Sequence, residues 1–317
     1  MFSSVINGSN YQSYYVCGST INPHFLNKDV SYIKQGRALP LRWKLGADFA
    51  LVGGSLFMAE NDAQISMFRW KINLLRLNRI YGGRNYVIGA NLGPYRDIDE
   101  YSGYLKKVNG LVDYWRVRDR YSEHLLQEIG CTNVEWIPDP VMGIDLDSYM
   151  NLAQQKKIAI SITNINKDGN FEVNMDVFIT EIIELINRYH EQGYIVELLS
   201  FEDSEDLSWL LKIKNMIRSK GAVKLVGNTD NRLLTALAEA EIVVSTRFHC
   251  MVLAGLMKKK QIIYPYSHKT TNFADSHDLK VYKITGCPLD KHPIPTRFDP
   301  ADISAAKTMF SNMGQGS

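Results

Sequence analysis

The segment Val243-Val244-Ser245-Thr246-Arg247-Phe248-His249 concentrates the most chemistry in the chain. An apolar strand pattern ends in two hydroxyl residues, and an arginine and a histidine open the helical pattern that follows. Hydroxyls and amides at a helix start favour an anion. Arg247 adds a fixed charge, and His249 adds a group that titrates near neutrality. The plainer alternative makes Ser245 an N-cap and His249 a packing residue. The next strand-to-helix junction holds Tyr264-Pro265-Tyr266-Ser267-His268-Lys269-Thr270-Thr271. There Lys269 offers a point charge for a phosphate, unless the segment is only a capped surface loop.

Two further constellations lie upstream. In Arg116-Val117-Arg118-Asp119-Arg120-Tyr121-Ser122 the arginines alternate, which places all three on one face if the strand persists. A guanidinium fork matches carboxylate or phosphate geometry. Asp119 can cap the next helix or pair with an arginine; a solvated, salt-bridged strand end is the alternative. In Leu51-Val52-Gly53-Gly54-Ser55-Leu56 two glycines follow a buried strand and let the backbone approach a ligand closely. The third glycine of a dinucleotide fingerprint is missing, and a turn without a ligand is equally open. The other histidines, His24, His124, His190, His277 and His292, have no partners at suggestive spacing. Glu202, Asp203, Glu205 and Asp206 read as a solvated helix start.

These residues need elements to hold them. Periodicity predicts strands at 47–52, 86–88, 111–117 and 134–137. It places a helix through Ile65, Phe68, Ile72 and Leu75, a loop at 89–94, and a helix at 122–130. A Pro- and Gly-bearing stretch, 138–155, reads as a domain boundary. The alternation then restarts, with strands at 157–162, 194–199, 223–226, 242–245 and 261–264. Helices lie between them, the strongest through Phe178, Ile179, Ile182 and Ile186. A final helix is expected from about residue 300. Such alternation predicts an α/β protein of two domains, each a parallel sheet covered by helices on both faces, with a cleft between them. The domains would be 1–145 and 146–317, with the last helix returning to the first domain. In such sheets ligands sit beyond the carboxyl ends of the strands, where all four constellations fall.

Composition narrows the function. The chain has 317 residues, and 36 Lys+Arg against 34 Asp+Glu give a net charge of +2. That balance argues against a strongly basic nucleic-acid binder. No stretch reaches the ~20 apolar residues of a membrane helix, and no secretory signal is visible in the first residues. Cys17, Cys131, Cys250 and Cys287 lie far apart, as expected of free thiols in a reducing compartment. No metal-ligand spacing is evident.

The ordered motifs resemble the polysaccharide pyruvyl transferases. Ser245-Thr246-Arg247-Phe248-His249 is similar to that family's Ser-x-Arg-x-His signature, and Tyr266-Ser267-His268-Lys269 to its Tyr-x-x-Lys segment. Val117-Arg118-Asp119 with Ser122 resembles its Val-Arg-Asp-x-x-Ser element. Pro138-Asp139-Pro140 resembles its Asp-Pro turn, and Gly53-Gly54 and the loop 89–94 its two N-domain glycine loops. One departure stands out. The family's opening Gly-x-x-Asn-x-Gly-Asp loop has its nearest counterpart in residues 7–13, which lack the final Gly-Asp.

The resemblance implies a GT-B-like fold of two Rossmann-like domains facing a cleft, the first on the acceptor side and the second on the donor side. It implies transfer of pyruvate from phosphoenolpyruvate, as co-substrate and without another cofactor or metal, to a sugar of a cell-surface glycan or its lipid-linked precursor. It implies catalytic roles for His249 and Arg247. It implies donor contacts from Arg118, Ser245, Thr246, Lys269 and His268, and acceptor contacts from Gly53, Gly54, Ser55 and Asn91. The expected place is the cytoplasm, with peripheral contact at the inner face of the membrane, and no nucleic acid as partner. A nucleotide-sugar glycosyltransferase and a degenerate glycan binder are the alternatives.

Overall fold

The computed structural model describes residues 14–17, 31–34, 48–165, 173–217, 223–227 and 232–308. The atypical opening loop at residues 7–13 lies outside them. The chain divides into two compact units, residues 1–144 with 300–317, and residues 145–299.

In the first unit, β1 (Tyr14–Cys17) and β2 (Ser31–Lys34) pair in parallel. Then follow β3 (Phe49–Val52), β4 (Phe57–Ala59), α1 (Asp62–Ile80), β5 (Asn85–Ala90), β6 (Leu92–Tyr95), α2 (Ile98–Asn109), β7 (Tyr114–Val117), α3 (Arg120–Glu128) and β8 (Val134–Trp136). The main sheet is parallel with order β3-β5-β7-β8. The helical spacing of Ile65, Phe68, Ile72 and Leu75 buries all four against this sheet, where they meet Phe57, Val87 and Trp115.

The expected loop 89–94 is not a loop throughout. Strand β5 runs to Ala90, and Leu92–Tyr95 pairs in parallel with β4. A three-residue strand such as β4 is too short to show a period, so neither partner was visible in the sequence.

The second unit comprises α4 (Asp147–Met150), β9 (Lys157–Ser161), α5 (Met175–Glu191), β10 (Ile195–Leu199), α6 (Asp203–Met216), β11 (Val223–Val226), α7 (Arg232–Glu239), β12 (Ile242–Ser245), α8 (Phe248–Leu256), β13 (Lys260–Ile263), α9 (His268–Ser276) and β14 (Ile294–Pro295). Sheet order is β11-β10-β9-β12-β13-β14, parallel except for β14. Every residue of β9 and β12 is buried, as strands covered on both faces require. Pro295 is tolerated because β14 is an edge.

Numbered along the chain, the five parallel strands lie in the order third, second, first, fourth, fifth. The reversal falls between β9 and β12, and such a switch point leaves a crevice at the carboxyl ends of the two strands.

The last helix, α10 (Pro300–Thr308), packs on a 3-10 turn at Pro140–Gly143 within the first unit. A Cβ at Gly143 would lie 2.7 Å from the Ala306 carbonyl oxygen, so glycine permits the close approach.

Candidate functional site

At the switch point the backbone links the two central strands beyond their ends. Thr246 N donates to the Ser161 carbonyl at 2.9 Å, and Thr163 N donates to Thr246 Oγ1 at 2.9 Å. Ser245 and Thr246 are both fully buried. The Ser245 and Thr163 hydroxyls are buried without a hydrogen-bond partner. Arg247 is the N-cap of α8, and no side chain caps the helix, so Ser245 is not the cap that the plainer reading made it. A helix start without a cap, beside orphan hydroxyls at a switch point, is suited to an anion.

Arg247 is anchored from below. Its Nε donates to Asp206 Oδ1 at 2.9 Å, and its Nη2 reaches Asp206 Oδ1 and, at 2.7 Å, Glu205 Oε2. Burial would lower the guanidinium pKa, but Asp206 and Glu205 offset this and raise it. The expected acidic helix start is there, with Glu202 exposed, but Asp206 is not solvated as expected. Helix α6 begins at Asp203, and its first turn carries Asp206 fully inward. There it also accepts from the amides of Phe201 (3.0 Å) and Glu202 (3.1 Å). Sequence reasoning missed Asp206 because its partner is 41 residues away.

Lys269 comes to the same place. Its Nζ lies 4.3 Å from the centre of the Phe248 ring, whose neighbour His249 is exposed on the first turn of α8. The His249 ring lies 5.6 Å from that of Phe248. His268 opens α9, and its side chain lies outside the described residues.

A second cluster forms at the carboxyl end of the first unit's sheet. Arg118 leaves the end of β7 and is buried. Its Nη1 donates to Asp139 Oδ2 at 2.7 Å and its Nη2 to Asn91 Oδ1 at 2.5 Å. Asn91 N in turn donates to the Gly54 carbonyl at 3.0 Å. A methyl group at Gly54 would overlap the guanidinium, and Gly53 has φ +142°, so both glycines have a reason to be there. Ser55 follows them, exposed. Residues expected on the donor side (Arg118) and the acceptor side (Gly54, Asn91) are thus in contact.

The expected single face of three arginines does not form. The strand ends at Val117, so Arg116 pairs with Glu135 (3.3 Å), Arg118 turns inward, and Arg120 pairs with Glu123 (2.8 Å). Asp119 caps α3, accepting from Ser122 N at 2.8 Å. Burial raises its pKa, against the pull of Ser122 and Arg118.

Comparison with known proteins decides what this frame is. The polysaccharide pyruvyl transferase family model matches residues 3–268. The chain belongs to the polysaccharide pyruvyl transferase family. It is thus a member of a transferase family of polysaccharide biosynthesis. No curated protein matches the chain.

Among solved structures, the UDP-GlcNAc 2-epimerase of Methanocaldococcus jannaschii is similar at TM-score 0.50 and 11% identity, over 84% of this chain and 77% of that one. The wall teichoic acid polymerase TagF is similar at TM-score 0.46 and 13% identity, over 98% and 74%. The likeness to the epimerase speaks to fold alone, and the fold is α/β with two Rossmann-like units, GT-B-like. No described helix is long and apolar enough to cross a membrane.

Proposed function

We propose that this family member moves pyruvate from phosphoenolpyruvate to a sugar of a cell-surface polysaccharide or its precursor, forming a ketal. The observation that carries the reading is the β12–α8 junction. There, buried hydroxyls lacking partners and an uncapped helix start meet Arg247, Lys269 and His249.

Phosphoenolpyruvate carries a carboxylate and a phosphate, and this junction offers amide dipoles and a lysine for them. Arg247 has two carboxylates on it already, so it shapes the junction as well as charging it. His249 gives a proton to the methylene carbon, which leaves a cationic centre at the adjoining carbon. A sugar hydroxyl attacks that carbon and loses its proton. The carbon–oxygen bond to phosphate then breaks, inorganic phosphate departs, and a second hydroxyl closes the ketal. His249 acts here as a general acid.

Gly53, Gly54, Ser55 and Asn91 face the acceptor in this reading. Arg118, its charge met by Asp139, holds their loops in place. The co-substrate is phosphoenolpyruvate, with no other cofactor and no nucleic acid. The work is done in the cytoplasm at the inner membrane face, where a lipid-linked acceptor is within reach.

The test is a thermal-shift comparison of phosphoenolpyruvate with a panel of nucleotide sugars, followed by phosphate release in the presence of glycan acceptors. Phosphoenolpyruvate should raise the unfolding temperature, and phosphate release should require an acceptor. A shift with a nucleotide sugar alone would replace the reading with glycosyl transfer. A response only to glycans would leave a glycan-binding protein.

A further inference from the structure

Beside the Arg118 cluster, three tyrosines form a chain from the core to the surface. Tyr101 is fully buried; its hydroxyl donates to the Phe57 carbonyl and accepts from Gly93 N, each at 2.7 Å. Tyr95, at the end of β6, stacks on it with ring centres 4.6 Å apart and planes at 22°. The Tyr95 hydroxyl is 2.5 Å from that of Tyr121, whose side chain emerges from the first turn of α3, three residues after Arg118. Tyr121 is 44% exposed.

A surface tyrosine ordinarily turns its hydroxyl to water. This one is held at both ends, by the helix start and by a partner that is itself stacked on the core. An exposed aromatic ring fixed in this way loses little conformational freedom when a ligand covers it. The ring supplies an apolar face, and the paired hydroxyls supply a donor and acceptor oxygens beside it. Both lie at the carboxyl-end edge of the sheet, where ligands of such folds sit.

We infer that Tyr121, anchored by Tyr95, is a sugar platform: a pyranose lays its C–H face on the Tyr121 ring and bonds a ring hydroxyl to the tyrosine pair. This rests on the acceptor side assigned under the proposed function and adds the residue that ranks one sugar above another. An axial hydroxyl blocks the sugar face from which it points and enlarges the C–H patch on the other, so the platform distinguishes sugars by which face each can lay on the ring.

The test is saturation-transfer NMR on the full chain with the methyl glycosides of glucose, galactose, mannose and N-acetylglucosamine. At least one should receive saturation at its ring protons. Tyr121→Ala should weaken its binding about tenfold. Tyr121→Phe and Tyr95→Phe, which keep the rings and remove one hydroxyl each, should weaken it by less. Unfolding temperature should change little, because the truncated ring is on the surface, and the phosphoenolpyruvate-induced shift should be kept.

Failure of all four glycosides to saturate overturns the inference, and so does saturation undiminished in Tyr121→Ala. Tyr121-dependent glycoside binding without any response to phosphoenolpyruvate would leave the platform standing and remove pyruvyl transfer.

Discussion

Truncating Arg247 removes a positive charge and also strands Asp206, which is fully buried and has Arg247 as its guanidinium partner. Arg247→Ala leaves Asp206 only the Phe201 and Glu202 amides and is expected to destabilise the fold by about 3 kcal/mol, the low end for a buried charge that loses its ion-pair partner. His249 is exposed on the first turn of α8 and supports little packing. His249→Ala should keep the unfolding temperature while lowering acceptor-dependent phosphate release about 10²–10⁴-fold. Near-normal turnover in that variant would make His249 a bystander and move the proton source to His268.

Asp119 carries a prediction about pH. Its folded pKa is raised above the ordinary 3.8 by burial, so the folded state holds the proton more tightly than the unfolded state. The sign follows: stability falls as pH rises through that window, and the loss is complete above the folded pKa. Asparagine caps a helix as well as aspartate and does not titrate. Asp119→Asn should therefore equal or exceed wild-type stability at pH 7, and its advantage should shrink as pH falls towards 3.8. Chemical denaturation of both proteins across that range reads the difference; an advantage that grows on acidification would refute it.

Among elements, α10 depends for its place on a residue far away in the chain. Its Ala306 carbonyl lies where a side chain at residue 143 would start. Gly143→Val forces the helix away from Pro140–Gly143, the turn that follows Asp139. We expect a loss of about 1–3 kcal/mol, typical of overpacking, read as a lowered denaturation midpoint. Deleting residues 300–317 should cost a similar amount without adding to Gly143→Val, since both act on one contact. Additive losses would show that α10 stabilises something else.

Over the whole molecule, the second unit is continuous in sequence, with its own six-stranded sheet and core, whereas the first is closed by a helix from the far end of the chain. A fragment of residues 145–299 should fold alone and unfold cooperatively in urea. A fragment of residues 1–144 should be less stable than the same fragment with 300–317 supplied as a peptide. A disordered 145–299 fragment, seen as a random-coil circular dichroism spectrum, would contradict this division.

The sequence by itself determined the class of fold and the places to look. Strand and helix periods are local properties, so Ile242–Ser245 and the amphipathic α5 were legible residue by residue, as was the hydroxyl–arginine–histidine run that follows β12. Glycine pairs and helix caps are local too, and Asp119 was readable as the cap of α3.

Only the tertiary structure decided where charges end. Arg118 and Arg247 read as cations awaiting an anion, yet Asp139 is 21 residues from the first and Asp206 41 residues from the second. The short pair β4–β6 and the Tyr95–Tyr121 hydroxyl contact escaped for the same reason. A buried charge must find a partner, but folding supplies it from anywhere in the chain, and no local pattern records which residue will come.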